Sequence, residues 1–238
     1  MGRHSTIEDL NPESDMANQL DLEEQEQLDQ LKHFWQQWGN AITWLAIVVL
    51  GSFAAWNGYQ YWQRSQAAQA AAMYDEVERV LKSGDPARLD RALADMKDKF
   101  AGTVYAQQAA LLAAKSYFEA GKPDAAKAAL VWVIEKSGDE GYQAVARLRL
   151  AAVLLEAKEY DEGLKQLAAP MPGEFAALAA DRRGDILVLQ GKTDLARAEY
   201  ERAFKGLDDR GEYRRLVEVK LNALGVNPRA ADAVEVKK

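Results

Sequence analysis

Between His33 and Arg64 the chain carries no charged residue, and the centre of that stretch, residues 41–56, is almost wholly apolar. Few segments constrain a fold so tightly. A bilayer core is crossed by roughly 20 helical residues, and residues 38–62 supply that length. Trp35, Trp38, Trp56, Tyr59, Tyr61 and Trp62 stand at its two ends, where interfacial aromatic residues lie. The stretch therefore predicts one membrane-spanning helix. A buried core helix would also be apolar all round, but it needs no tryptophan clusters at both ends. A cleaved signal peptide opens with a short basic leader, whereas an acidic segment precedes this run. An uncleaved signal anchor is the expectation.

The net charge of −7 is confined to one side of that anchor. Residues 1–37 hold nine acids (Glu8, Asp9, Glu13, Asp15, Asp21, Glu23, Glu24, Glu26 and Asp29) against Arg3 and Lys32, and the 28 acidic and 28 basic residues beyond them cancel. Residues 1–37 read as a solvated, irregular acidic tail with an amphipathic lead-in to the span. Nucleic acid is not an expected partner, because phosphate binding needs a concentrated basic face. The absence of cysteine excludes disulfides, thiol catalysis, cysteine zinc sites and lipoprotein attachment. The first six residues formally match an N-myristoylation pattern, which adds little to a chain that already has a transmembrane helix.

Ala, Leu, Glu, Lys, Arg and Gln dominate the rest of the chain, and these are helix formers. With six prolines in all and no sustained alternation of β-branched and polar residues, the prediction is an all-α domain over residues 63–224. The segment 225–238 is expected to be a flexible C-terminal tail. The turns Gly84-Asp-Pro, Gly121-Lys-Pro-Asp, Lys158-Glu-Tyr-Asp and Gly191-Lys-Thr-Asp recur at intervals of 37, 37 and 33 residues. That period marks helical-hairpin repeats.

The interiors keep the same register. Ala114, Tyr117, Gly121, Ala126, Leu130 and Val133 share offsets with Gly184, Leu187, Gly191, Ala196, Tyr200 and Ala203; Ala151, Leu154, Lys158, Gly163 and Leu167 belong to the unit between. Small residues at matched positions let antiparallel helices approach closely, and larger ones fill the groove. These are tetratricopeptide-repeat offsets. The turn glycines supply a left-handed helix end, so the turn at Lys158 is expected to be the least regular. A last helix over residues 213–224 is expected to cap the stack.

An enzyme needs a nucleophile, an acid/base pair or a metal cluster at workable spacing, and none can be assembled. The two histidines, His4 and His33, both precede the repeats. No cofactor is implied. Binding is the predicted activity, with peptide or protein clients held along one face of the solenoid. Candidate contacts are polar residues of the first helix in each pair, expected to be exposed: Gln107, Gln108, Lys115, Arg147, Arg149 and Arg183. Together they predict a polar groove with some positive character. Tyr105, Phe118, Trp132, Tyr142, Phe175 and Tyr213 are expected in the core, with Trp132 and Phe175 the best candidates for exposed anchors. In the span, Gly51 with Ala55 and Ala54 with Gly58 have the small-xxx-small spacing that allows membrane helices to pack face to face.

The segment Glu26-Gln-Leu-Asp-Gln-Leu-Lys-His-Phe-Trp-Gln-Gln-Trp-Gly39, the exit Gly58-Tyr-Gln-Tyr-Trp62 and the alanine-rich repeats behind them resemble the bacterial ancillary SecYEG translocon subunit family over residues 22–224. The repeats alone are less specific, being similar to those of a soluble cell-division coordinator. The resemblance implies a single-pass type II protein of the bacterial inner membrane, N-terminus cytoplasmic and repeats periplasmic. It implies association with the Sec translocon and with a membrane-anchored periplasmic peptidyl-prolyl isomerase, and a part in passing emerging chains to chaperones. Lys32 stands alone on the near side of the span while Arg64, Arg79 and Lys82 follow it, so a positive-inside count favours the opposite orientation. Two other functions fit the same residues: a scaffold for an envelope or cell-division assembly, and a regulator acting through the acidic tail.

Overall fold

The computed structural model describes residues 12–208 and 211–228, with side chains from residue 27. The chain divides into two compact units, residues 1–63 and 64–238. The described part of the first unit is helical, the beginning of α1 (Pro12–Ser83). Residues 12–37, expected to be irregular, are thus helical from a proline that suits a first helical turn, and no further proline or glycine occurs before Gly39. Residues 1–11 of the acidic tail lie outside the described residues.

Among the described residues α1 is the one helix long and apolar enough to cross a membrane, and only 6% of its most apolar window is buried. Trp44, Leu50 and Phe53 are each about two-thirds exposed. A core helix would bury them; a lipid-facing helix presents them outward. Two polar side chains in the span close onto its own backbone: Thr43 Oγ1 donates to the Gly39 carbonyl at 2.7 Å and Asn57 Nδ2 to the Phe53 carbonyl at 2.9 Å. That internal satisfaction is what a water-free surrounding demands.

The second unit is built of helix pairs. The end of α1 pairs with α2 (Pro86–Phe100), and α3 (Val104–Glu119) with α4 (Pro123–Lys136). α5 (Glu140–Glu156) pairs with α6 (Tyr160–Ala168), and α7 (Ala176–Leu189) with α8 (Thr193–Gly206), before α9 (Glu212–Ala223) closes the stack. Helix starts follow from caps: Asp85 Oδ1 accepts from the Ala87 and Arg88 amides ahead of Pro86, and Asp139 Oδ1 from the Gly141 and Tyr142 amides.

The left-handed turn residues are Gly84, Gly121, Lys158, Gly191 and Gly225. Lys158, with φ of 61°, is the single non-glycine among those described. Its turn is nevertheless regular. Lys158 N–H donates to the Leu155 carbonyl at 3.0 Å and Glu159 N–H to that of Leu154 at 2.9 Å, as Gly121 and Lys122 do to Phe118 and Tyr117. The paired bonds close the helix end in the same way at each. The expectation that this turn would be the least regular is corrected: the hydrogen bonds and flanking packing hold the lysine in the left-handed well. The irregularity of the third pair lies at its other end, where Pro170 and Pro172 stop α6 after nine residues and a 3-10 turn, Gly173–Phe175, leads into α7.

Close approach depends on the small residues. Ala114, Ala126, Ala151 and Ala196 are at most 2% exposed. A Cβ on Gly163 would stand 3.0 Å from Ile186 Cδ1, and one on Gly184 would overlap the Tyr200 ring. Buried apolar neighbours then join one repeat to the next: Val77, Leu93 and Met96 through Leu130 and Val133 to Leu154 in one cluster, Ala151 and Leu167 with Ile186 in a second, and Leu187 and Tyr200 with Val217 and Leu221 in a third.

Candidate partner-binding surface

The first helices of the pairs form a layer in which α5 meets both α3 and α7. Several of the polar residues predicted to line a groove on this layer are engaged by neighbouring helices instead. Gln107 is buried at 4% exposure. Gln108 Nε2 donates to Tyr142 Oη at 2.8 Å and Arg147 Nη1 to Gln166 Oε1 at 3.1 Å. Arg183 is locked in place, with Nη2 2.8 Å from Glu199 Oε2 and Nη1 donating to the Leu167 carbonyl at 2.9 Å. The expected exposure is therefore corrected for four of the six: Gln107 is buried and Gln108, Arg147 and Arg183 are half-buried, while Lys115 and Arg149 are exposed. The reason is geometric. Positions on the flank of a first helix face its own partner helix or a neighbouring hairpin, where long polar side chains find carbonyls, an amide, a phenol and carboxylates.

The layer also presents an apolar row. Leu81, Phe118, Leu155 and Val188 each stand three residues before a left-handed turn residue, and each lends its carbonyl to that residue's N–H. One apolar side chain per repeat thus occupies the same place. Phe118 and Val188 are about 40% exposed and Leu81 and Leu155 are half-buried. Phe118 was expected in the core; it is part of this row. Trp132 and Phe175, the expected anchors, are half-buried, Trp132 against the core with Lys97 Nζ 5.1 Å from its ring centre. Between α5 and α7 a recess of about 150 Å³ is lined by Leu148, Arg149, Ala152, Leu178 and Arg182. Four of these five were missed from the sequence. Counting back from the turn residues, which the 37-residue interval aligns, would have found Leu148 and Ala152.

The far end of the layer is closed by a buried polar cluster. Asp181 is fully buried; it accepts from Tyr213 Oη at 2.6 Å and from Lys220 Nζ at 2.8 Å. Lys220 also donates to Asp185 at 2.6 Å, and Tyr200 Oη donates to Asp185 at 2.8 Å. Burial, then the bonded carboxylates, pushes the Tyr213 and Tyr200 hydroxyls well above the usual phenol range. The cluster pins α9 to α7 and α8. No group of His, Cys, Asp and Glu suited to a metal occurs among the described residues. In the span, Gly51, Ala54, Ala55 and Gly58 are all exposed, and nothing lies within 4 Å of where a Cβ would stand on Gly51 or Gly58.

A tetratricopeptide repeat-like domain family matches residues 32–226, which takes in the span as well as the repeats. A protein of Neisseria gonorrhoeae described as an ancillary SecYEG translocon subunit is 31% identical over 207 residues, 85% of this chain and 98% of that one. The chain belongs to this family. Proteins with the same description from Haemophilus influenzae and Escherichia coli are 30% and 27% identical, across 76% and 85% of this chain and 89% and 97% of theirs. Membership fits the all-α architecture of one apolar helix followed by helical repeats. No solved structure gives a significant match.

Proposed function

We propose that the chain is a non-enzymatic accessory subunit of the Sec translocon. It lies in the bacterial inner membrane, with the residues before the span in the cytoplasm and the repeats in the periplasm, and links emerging secreted chains to periplasmic chaperones, a membrane-anchored peptidyl-prolyl isomerase among them. The observation that carries this reading is the family match, which runs through span and repeats together. An anchor plus a binding surface is the minimum for holding a passing chain beside a membrane channel, and the row of Phe118, Leu155 and Val188 offers an unfolded chain apolar contacts at repeat intervals. The division of labour gives the small-residue face of Gly51, Ala55, Ala54 and Gly58 to the translocon and the repeat face to clients.

Mild crosslinking in membranes, followed by identification of the captured proteins, tests the assignment. Recovery of translocon subunits supports it, and recovery of division or wall-synthesis proteins in their place overturns it. Gly51→Ile with Gly58→Ile lowers that recovery if the span is the contact. Orientation is read separately: alkaline phosphatase fused after Lys238 is active if the repeats are periplasmic and inactive if they are not.

A further inference from the structure

The recess between α5 and α7 is too small for a whole ligand, since small-molecule sites occupy roughly 300–1,000 Å³. Its volume of about 150 Å³ holds one large apolar side chain. Leu148, Ala152 and Leu178 supply the apolar wall, and all three are half-buried, so a side chain can reach them from outside. The rest of the lining is cationic. Arg149 donates through Nη1 to the Leu111 carbonyl at 3.1 Å and has no carboxylate partner among the described residues. Arg182 is 41% exposed, and its contact with Asp185 is long, at 3.5 Å. Asp185 Oδ1 is engaged by Lys220 and Tyr200, and its Oδ2 is the atom that faces Arg182.

We propose that this recess receives an apolar side chain of an extended polypeptide whose neighbouring residue is Asp or Glu, with the Arg149 and Arg182 guanidinium groups holding the carboxylate. The inference rests on the reading above that the repeat face takes extended clients, and it names a chemistry for them. A guanidinium fork with unused donors matches a carboxylate, and the apolar wall rewards burial of a side chain of leucine size. The site therefore selects an apolar–acidic pair. A segment lacking either half binds less well.

The test uses the full chain in lipid nanodiscs and fluorescently labelled Gly/Ser peptides carrying a central Leu-Asp, Leu-Asn or Ala-Asp pair, with binding followed by anisotropy. Leu-Asp is expected to bind best; Asn in place of Asp costs about fivefold, and Ala in place of Leu about tenfold. Arg182→Gln, at an exposed position that leaves the helical spectrum unchanged, brings the Leu-Asp to Leu-Asn ratio towards one. Ala152→Phe fills the recess and removes the Leu over Ala preference. Equal binding of Leu-Asp and Leu-Asn by the unaltered chain, or a ratio that Arg182→Gln does not move, overturns the inference, as does binding of none of the peptides. Translocon capture is measured independently, so a chain that captures the translocon yet shows no peptide preference loses this inference alone.

Discussion

Gly184 and Lys158 show how much a single position decides in a helical repeat. A methyl group at Gly184 would overlap the Tyr200 ring, whose hydroxyl is tied to Asp185 and cannot swing away freely. Gly184→Ala should therefore cost about 1–3 kcal/mol despite alanine's better helix propensity, measured as a lowered unfolding midpoint in denaturant. Lys158 is the opposite case. Its side chain is exposed and its backbone is left-handed, a conformation that costs an L-residue about 1–2 kcal/mol. Lys158→Gly should gain up to about 1 kcal/mol after glycine's extra chain entropy is counted, and Gly121→Ala should lose a similar amount. If Lys158→Gly lowered the unfolding midpoint, or Gly121→Ala left it unchanged, the equivalence of their geometry would be refuted. The register of both positions was legible in the sequence. The regularity of the lysine turn was not, because hydrogen bonds from Lys158 and Glu159 outweigh a propensity.

The element whose place depends most on polar contacts is α9. Val217 and Leu221 bury its apolar face, while Lys220 and Tyr213 reach the fully buried carboxylate of Asp181. Removing the cation leaves a buried charge short of a partner, at a cost of about 3 kcal/mol or more. Lys220→Met should thus release α9, seen as faster amide hydrogen exchange in α9 with exchange in α3 and α4 unchanged. Uniform acceleration along the stack would argue against a local lock. A pH dependence belongs to the same scale. Burial is the first cause holding the hydroxyls of Tyr117, Tyr200 and Tyr213 above the ordinary phenol value of 10.0, and the carboxylates of Asp90, Asp185 and Asp181 add to it. The unfolded chain therefore loses these protons first. Stability is complete below about pH 10 and falls as pH rises beyond it, so thermal midpoints should be level at neutral pH and drop in alkaline buffer. A midpoint unchanged past the ordinary phenol value would contradict the burial of these rings. Nothing in the sequence singled out Asp181 or Lys220, since a buried acid inside a helical repeat looks like any solvated one until the neighbouring helix is in place.

Over the whole molecule, the anchor and the repeat period were readable because each rests on a long-range pattern: an uncharged run of membrane length, and turns set 37, 37 and 33 residues apart. Which side chains face outward was not readable in the same way. Gln107, Arg147 and Arg183 have the composition of a surface and the position of a seam, and exposure depends on how each helix is rotated against the next pair. Nothing in the repeat pattern marked Leu178 and Arg182, which line a recess. The proposed arrangement is a membrane-anchored repeat domain that would hold a client beside the translocon by an apolar face with two arginines. Its most direct test is a photoreactive residue at Leu178 of the full chain, in membranes where a secreted protein has been arrested during translocation. The account predicts an adduct with the arrested chain that is lost when translocation is not begun. Adducts that form equally with idle membranes, or that never include the arrested chain while translocon subunits are captured through the span, would contradict it.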